Sequence, residues 1–292
     1  MSRRLLIILA QIPLVVAVLG ILVFVGGIAA EYLVNRGDPF SESAPSQFTW
    51  LALIGLGVAA AMFLVWFVSV ALLLGVQARR QGAGYGEAYR LIEAFRFEDA
   101  IPLLEQSVAE GKETVDVLML LASAYAYAGR LAEAQKIADR AVALYPQDPA
   151  AYLTLGTVYR MQATYEAAAE VLSRATALDP DSPIAWAELG FMQLYAGDAQ
   201  AARAAFEQAA RHAMPAMYAV RVYYHLANFY AESGDARQAA RTAAKMVSAR
   251  DGLPSWQSGL DALDGTLYGQ RLARELEQIE QALQDADAAH TD

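Results

Sequence analysis

The chain reads as an all-α protein: a two-helix transmembrane hairpin, then a solenoid of stacked helix pairs, then a C-terminal capping helix. Three observations predict this class. Two long runs near the N-terminus contain no charged side chain. From about residue 81 onward the sequence repeats with a period of 34, so that Leu121, Leu155 and Leu189 stand one period apart. After the repeats, Leu272, Leu276, Ile279 and Leu283 fall on one helical stripe.

Composition narrows the function classes before any motif is read. A chain of 292 residues that is 56% hydrophobic is too apolar for an ordinary soluble protein unless the excess is concentrated somewhere, and here it sits in the first quarter. The net charge of -10 therefore belongs mostly to the rest. That balance argues against nucleic acid, because phosphate binding needs clustered Lys and Arg. With no cysteine there is no disulfide, thiolate metal site or cysteine nucleophile, a composition that fits either side of a bacterial membrane.

The first element, 1–30, comprises the N-terminus and the first span. From Leu5 to Ala30 the only polar side chain is Gln11. At about 1.5 Å per residue the run covers about 39 Å, beyond the ~30 Å hydrocarbon core of a bilayer. Pro13 is placed to kink it. Residues 31–47 form a short extracytoplasmic loop, and 48–76 a second span in which Trp50 sits where an interfacial aromatic is expected. Gly20, Gly26 and Gly27 in the first span, with Gly55, Gly57 and Ala59 to Ala61 in the second, allow two backbones to approach closely. Arg3 and Arg4 precede the first span, and Arg79, Arg80, Arg90 and Arg96 follow the second. The loop has Arg36 alone, beside Glu31, Asp38 and Glu42. The positive-inside rule puts both termini in the cytoplasm of a cell whose inner membrane holds two spans. Ser2-Arg3-Arg4 with Gly27-Ile28-Ala29 loosely resembles a twin-arginine export signal, but the apolar region is too long for one. Neither span carries Asp, Glu, Lys, Arg or His, which argues against a transporter or channel.

Residues 77–86 read as a flexible linker, with Gly82, Gly84 and Gly86 loosening the chain; their spacing is not that of a dinucleotide loop. About five repeats follow over 81–253, divided as 81–114, 115–148, 149–182, 183–219 and 220–253. The strongest copy, 149–182, puts Tyr152, Leu155, Gly156, Tyr159, Ala168, Leu172, Ala175 and Pro180 at positions 4, 7, 8, 11, 20, 24, 27 and 32. Leu118, Leu121, Ala122, Tyr125, Ala134, Ala138, Ala141 and Pro146 stand one period earlier; Trp186, Leu189, Gly190, Ala202, Phe206 and Ala209 stand one later. In the flanking copies, Ala88, Leu91, Ala100 and Leu104 fit the first, and Tyr223, Leu226, Ala227, Tyr230, Ala239 and Ala243 the fifth, after a short insertion at Met214 to Ala216. Large residues in this pattern knit neighbouring units, small ones set the approach distance, and Pro146 and Pro180 stop the second helix. No unit buries its apolar faces alone, so stacked neighbours share one core.

These residues resemble the tetratricopeptide-repeat (TPR) family, whose pattern at the same positions is Trp, Leu, Gly, Tyr, Ala, Phe, Ala and Pro, and the anchor makes the chain similar to membrane-anchored bacterial members. The resemblance implies a right-handed superhelix in which positions 2, 5, 9, 12 and 13 of each unit tend to face a bound protein or peptide. Carried over, it implies a groove of Tyr85 and Tyr89, then Met119, Ser123 and Tyr127, then Leu153, Thr157, Arg160 and Met161. Ala187, Phe191, Leu194 and Tyr195 follow, and Tyr224 and Asn228 extend the lining. An apolar, aromatic groove suits an amphipathic helix or an extended apolar peptide. Members that clamp the C-terminal carboxylate of chaperones place Lys and Asn at positions 5 and 9; Met119 and Ser123, Leu153 and Thr157, Ala187 and Phe191 are no such clamp.

Residues 254–267 read as an irregular connection and 268–289 as the amphipathic helix that caps the open end of the solenoid; a coiled-coil dimer, or docking into its own groove, are the alternatives. His212, His225 and His290 form no metal-ligand spacing, and Glu98 with Asp99, and Asp179 with Asp181, sit where capping and solvation account for them. No nucleophile elbow or phosphate loop is present, so the expectation is a non-enzyme without cofactor or metal. The function expected is a membrane-anchored scaffold or adaptor that binds a protein partner. The alternative is a structural or assembly subunit of a larger membrane complex held through its hairpin, or a homo-oligomer. Cytochrome c maturation includes a protein with two spans and a repeat domain outside the membrane, and that resemblance defines the alternative orientation.

Overall fold

The computed structural model describes residues 3–34, 46–82 and 84–288, with the side chains of 3–10 and 77–81 also left aside. The expected loop with Arg36, Asp38 and Glu42 lies outside the described residues, as do His290 and the side chains of Arg3, Arg4, Arg79 and Arg80. Two compact units divide the chain, Met1–Arg80 and Gln81–Asp292.

The first unit pairs α1 (Arg3–Val34) with α2 (Gln47–Gln81). Within them, Gln11–Val34 and Gln47–Val76 are long and apolar enough to cross a membrane. The pairing is glycine against backbone. A Cβ on Gly20 would lie 2.7 Å from the Gly55 carbonyl oxygen, one on Gly55 2.8 Å from that of Gly20, and one on Gly27 2.9 Å from Ala52 Cβ. Leu19, Leu22, Val25, Leu53, Leu64 and Leu72 face outward, as in a pair whose surroundings are as apolar as its side chains. At one end, the Ser46 hydroxyl donates to the buried Glu31 carboxylate while accepting from the Phe48 amide at 3.1 Å, so the α2 N-cap is tied to the end of α1. Helix α1 runs on through Pro13, and α2 continues as far as Gln81, into the 77–86 stretch expected as a linker, with α3 beginning at Tyr85.

The second unit is an array of helix pairs: α3 (Tyr85–Glu93) with α4 (Phe97–Ala109), α5 (Val115–Tyr127) with α6 (Leu131–Leu144), and α7 (Pro149–Met161) with α8 (Tyr165–Leu178). These are followed by α9 (Pro183–Ala196) with α10 (Ala199–Ala209) and α11 (Ala216–Glu232) with α12 (Ala236–Ser248). Helix starts follow the sequence closely. Thr114, Asp148 and Ser182 accept from the amides of Val117, Ala150 and Ala185, and Pro149 and Pro183 occupy first-turn positions where a missing N–H costs nothing. The period is visible in the polar contacts: Tyr152 donates to the Pro146 carbonyl at 3.1 Å, and one period later Trp186 Nε1 donates to the Pro180 carbonyl at 2.8 Å. In these two units the aromatic at position 4 thus fastens the unit to the proline that ends the one before.

Within a unit, positions 8 and 24 compensate in size. A Cβ on Gly156 would meet Leu172 at 2.7 Å, and one on Gly190 would meet Phe206 at 2.5 Å, whereas the second unit uses the buried pair Ala122 and Ala138. The turn between the two helices also repeats: Phe95, Gly129, Ala163, Gly197 and Gly234, each at position 15, have φ of 57°, 78°, 56°, 93° and 78°.

Beyond α12 the connection contains short helical turns at Arg250–Gly252 and Asp261–Leu263 around α13 (Leu253–Gln257). Helix α14 (Leu267–Ala288) ends the described chain. This helix, expected to cap the open end or else to dock into the chain's own groove, touches α7, α11 and α12, and its side chains reach Tyr195 on α9. Its stripe explains the placement, since Tyr268, Leu272, Leu276, Ile279 and Leu283 are all buried, each worth about 1.5–3 kcal/mol of apolar burial.

A groove filled by the chain's own helix

Two buried ion pairs organise the face built from α7, α9 and α11. Arg160, on α7, gives Nη1 to both oxygens of Glu188 on α9, at 3.0 and 2.7 Å, and Tyr218 on α11 donates to the same carboxylate at 2.9 Å. Tyr127 on α5 joins through Arg160 Nη2 at 3.4 Å, and its ring stacks on Phe97 at 4.9 Å. All the residues of this first cluster belong to the array.

The second pair does not. Arg221, on α11 and 1% exposed, points Nε and Nη2 at Glu275 of α14, at 2.6 and 3.1 Å. Its guanidinium lies 3.8 Å from the Phe191 ring centre and 4.4 Å from that of Trp256, a sandwich that suits a planar, weakly hydrated cation. Tyr195 donates its hydroxyl to Glu275 and accepts from Arg221 Nη2 at 3.1 Å, while His225 Nε2 lies 3.2 Å from the same carboxylate. Burial pushes the Glu275 carboxyl up, but Arg221 and His225 outweigh it and hold its pKa well below the usual carboxylate range. Burial, then the neighbouring Glu275 charge, pushes the Tyr195 phenol well up. Between the two pairs stands Tyr268 of α14, fully buried, its ring centre 4.8 Å from the Arg160 guanidinium and 6.2 Å from the Tyr195 ring. Arg271 completes the contact, donating Nη1 to the Tyr195 carbonyl at 2.7 Å and lying over the Tyr165 and Tyr195 rings.

The residues expected to line a groove divide three ways. Tyr127, Arg160, Tyr195 and Tyr224 meet in or beside the α14 contact, Tyr224 through Gln278 at 3.5 Å. Met161, Ala187 and Phe191 are buried with α14 in place, 5%, 0% and 1% exposed, and the Phe191 ring packs on the Arg221 guanidinium. Tyr85, Met119, Ser123, Leu153, Thr157 and Leu194 are half-buried, while Tyr89 and Asn228 are exposed. Arg221, Glu188, Tyr218, Tyr268 and Glu275 were not anticipated. Arg221 occupies position 2 of its unit, a groove position, and Glu275 interrupts an apolar stripe between Leu272 and Leu276; a charge in such a stripe signals a buried partner.

This geometry, repeating helix pairs whose first helices hold a guest helix, defines a helical-repeat protein. The chain carries matches to the tetratricopeptide-repeat family at residues 91–156 and 126–189, within the helix-pair array. Among solved structures it is similar to that of MamA, with 22% identity over 56% of this chain and 94% of that one and a TM-score of 0.47. It is also similar to TTC0263, a thermophilic TPR protein of Thermus thermophilus, with 20% identity over 65% and 95% and a TM-score of 0.47. MamA 41-end from Desulfovibrio magneticus RS-1 gives 20% over 57% and 92%, with a TM-score of 0.46. No curated protein matches the chain.

Proposed function

We propose that the chain is a membrane-anchored interaction scaffold: α1 and α2 cross the inner membrane as a hairpin, both termini face the cytoplasm, and the repeat array binds a partner protein along its first helices. The observation that carries this reading is α14 itself, an amphipathic helix gripped across α7, α9 and α11. The large apolar side chains exposed around α1 and α2 support the anchor, since so continuous a patch is uncommon on a surface facing water. In the repeat register, Met119 at position 5 and Tyr89 and Ser123 at position 9 belong to the same lining on α3 and α5.

The test uses the full chain in cells. A photo-crosslinker replacing Tyr89 or Ser123 captures a protein partner, and one replacing Arg174, exposed on the second-helix side, does not; equal capture at both sites overturns groove binding. Because the chain has no cysteine, a Ser43→Cys variant reports orientation directly: an impermeant maleimide labels it from outside, and labelling only after lysis reverses the topology.

A second reading, an assembly subunit held through the hairpin, draws on Gly26, Gly57 and Gly75, whose Cβ positions face open space and so leave room for another helix. Replacing both spans with an unrelated hairpin abolishes co-purification of the partner in that case alone.

A further inference from the structure

Building on the scaffold reading, we infer that α14 is a tethered, exchangeable occupant of the groove, and that the partner taken up there is an amphipathic helix carrying one carboxylate within its apolar stripe, spaced as Tyr268, Leu272, Glu275, Leu276 and Ile279 are. The two buried arginines make the case by contrast. Arg160 has Glu188 as its carboxylate inside the array, so its charge is neutralised whether or not α14 is present. Arg221 has Glu275 as its carboxylate, and Glu275 arrives only with α14. Phe191 and Tyr195, from the array, and Trp256, before the tether, hold the guanidinium in place for an incoming anion. A buried, shaped cation with no acid of its own makes the groove selective: a purely apolar helix would leave Arg221 charged and unpaired, which is strongly disfavoured.

The attachment of α14 allows exchange. Ser258, Asp261, Asp264 and Gly265 in the connection are exposed, and Gly265 adopts φ of 74°, a bend that glycine makes without strain. The fit of α14 also falls short of complete. The Tyr268 hydroxyl, Arg160 Nε and Arg221 Nη1 are buried without a hydrogen-bond partner, so a guest presenting acceptors opposite them gains bonds that α14 does not make. A tethered guest of this kind raises the affinity a partner must have, because it competes at a high effective concentration.

The test titrates a fluorescent peptide of residues 264–288 into the full-length chain in detergent micelles, comparing wild type with Glu275→Gln. The variant's own helix has lost its charge while the probe keeps it. The variant therefore binds the probe on the order of a hundredfold more tightly than wild type does, and a probe carrying Gln at 275 loses a comparable factor. Hydrogen exchange of the wild-type chain gives a readout independent of the variant's folding: α14 amides exchange faster than those of α7 and α9, and faster again with excess probe. Equal binding of the Glu and Gln probes overturns the inference. So does exchange of α14 only together with the whole array, or a doubled protein mass in the variant, which would make the guest a second copy. Failure here with successful crosslinking at Ser123 leaves the scaffold reading standing; exchange of α14 with no partner crosslinked at any groove position does the reverse.

Discussion

The hairpin and the array both bring helices together on glycine, yet glycine meets different things in each. In the hairpin, Gly20 faces the backbone of Gly55, and the large side chains point away. In the array, Gly156 and Gly190 face the side chains of Leu172 and Phe206, and the large residues are drawn in. The difference is the one that the proposed membrane setting of the hairpin would produce. Where side chains gain nothing by leaving the solvent, contact between backbones is what holds helices together. Where water is the alternative, the void beneath a glycine is most profitably filled by an apolar side chain. Buried charge is costly in either setting, and among the described residues of the array it stands in pairs, Arg160 with Glu188 and Arg221 with Glu275.

The largest effect therefore comes from breaking such a pair. Arg221→Met leaves Glu275 buried without its cation and lowers the stability of the docked state by about 3–5 kcal/mol. Denaturation in micelles followed by tryptophan fluorescence measures it. Met at the same position in a Glu275→Leu background costs far less than in wild type, because no charge is then stranded; equal losses in both backgrounds would show that the ion pair contributes nothing.

Next comes overpacking at position 8. Gly190→Ala puts a Cβ 2.5 Å from the Phe206 ring and lowers array stability by about 1–3 kcal/mol. In a Phe206→Ala background the same substitution becomes neutral, since it reproduces the Ala122 and Ala138 arrangement of the second unit. Gly20→Ala, by contrast, forces two backbones apart and leaves the denaturation midpoint of the array unchanged. A matched loss at both sites would erase the distinction between the two regions.

Acid provides a gentler probe. The folded-state pKa of Glu275 lies below its unfolded value of about 4.3, so its contribution is complete above that pH and is lost as pH falls towards the folded-state value. The groups facing it are Arg221, His225 and Tyr195. The stability difference between wild type and Glu275→Gln, constant from pH 7 to about pH 5, therefore narrows from about pH 4 downward. A difference that stays constant to pH 3 would show that the carboxylate titrates as it does in the unfolded chain.

The helix-pair array was legible in the sequence because its signals are periodic: Leu121, Leu155 and Leu189 share a phase, and proline and capping residues mark the same places in successive units. The groove was legible only in part. Position rules distinguish a helix face but not what covers it, so nothing in Ala187 and Phe191 said that they would be buried with α14 in place. The docking of α14 was harder still. An amphipathic stripe shows that a helix must bury one face, and nothing in Leu272, Leu276 and Ile279 says against which surface. Glu275 carried that information, as a charge needing a buried cation, and Arg221 stood at a groove position 54 residues earlier.

The smallest expected effect concerns the turn inside each unit, where the array has a rule that two of its members break. Position 15 takes positive φ every time; Gly129, Gly197 and Gly234 meet it without a side chain, whereas Ala163 and Phe95 meet it with one. For a residue with a Cβ this conformation costs about 1–2 kcal/mol, offset in part because glycine loses more freedom on folding. Ala163→Gly therefore stabilises the array by a few tenths to about 1 kcal/mol, read as a higher denaturation midpoint. Gly197→Ala, in a turn with nothing within 4 Å of its Cβ position, lowers stability by a similar amount. Since no packing differs at that site, opposite signs for the two substitutions isolate the backbone; equal signs would place the effect elsewhere in the turn.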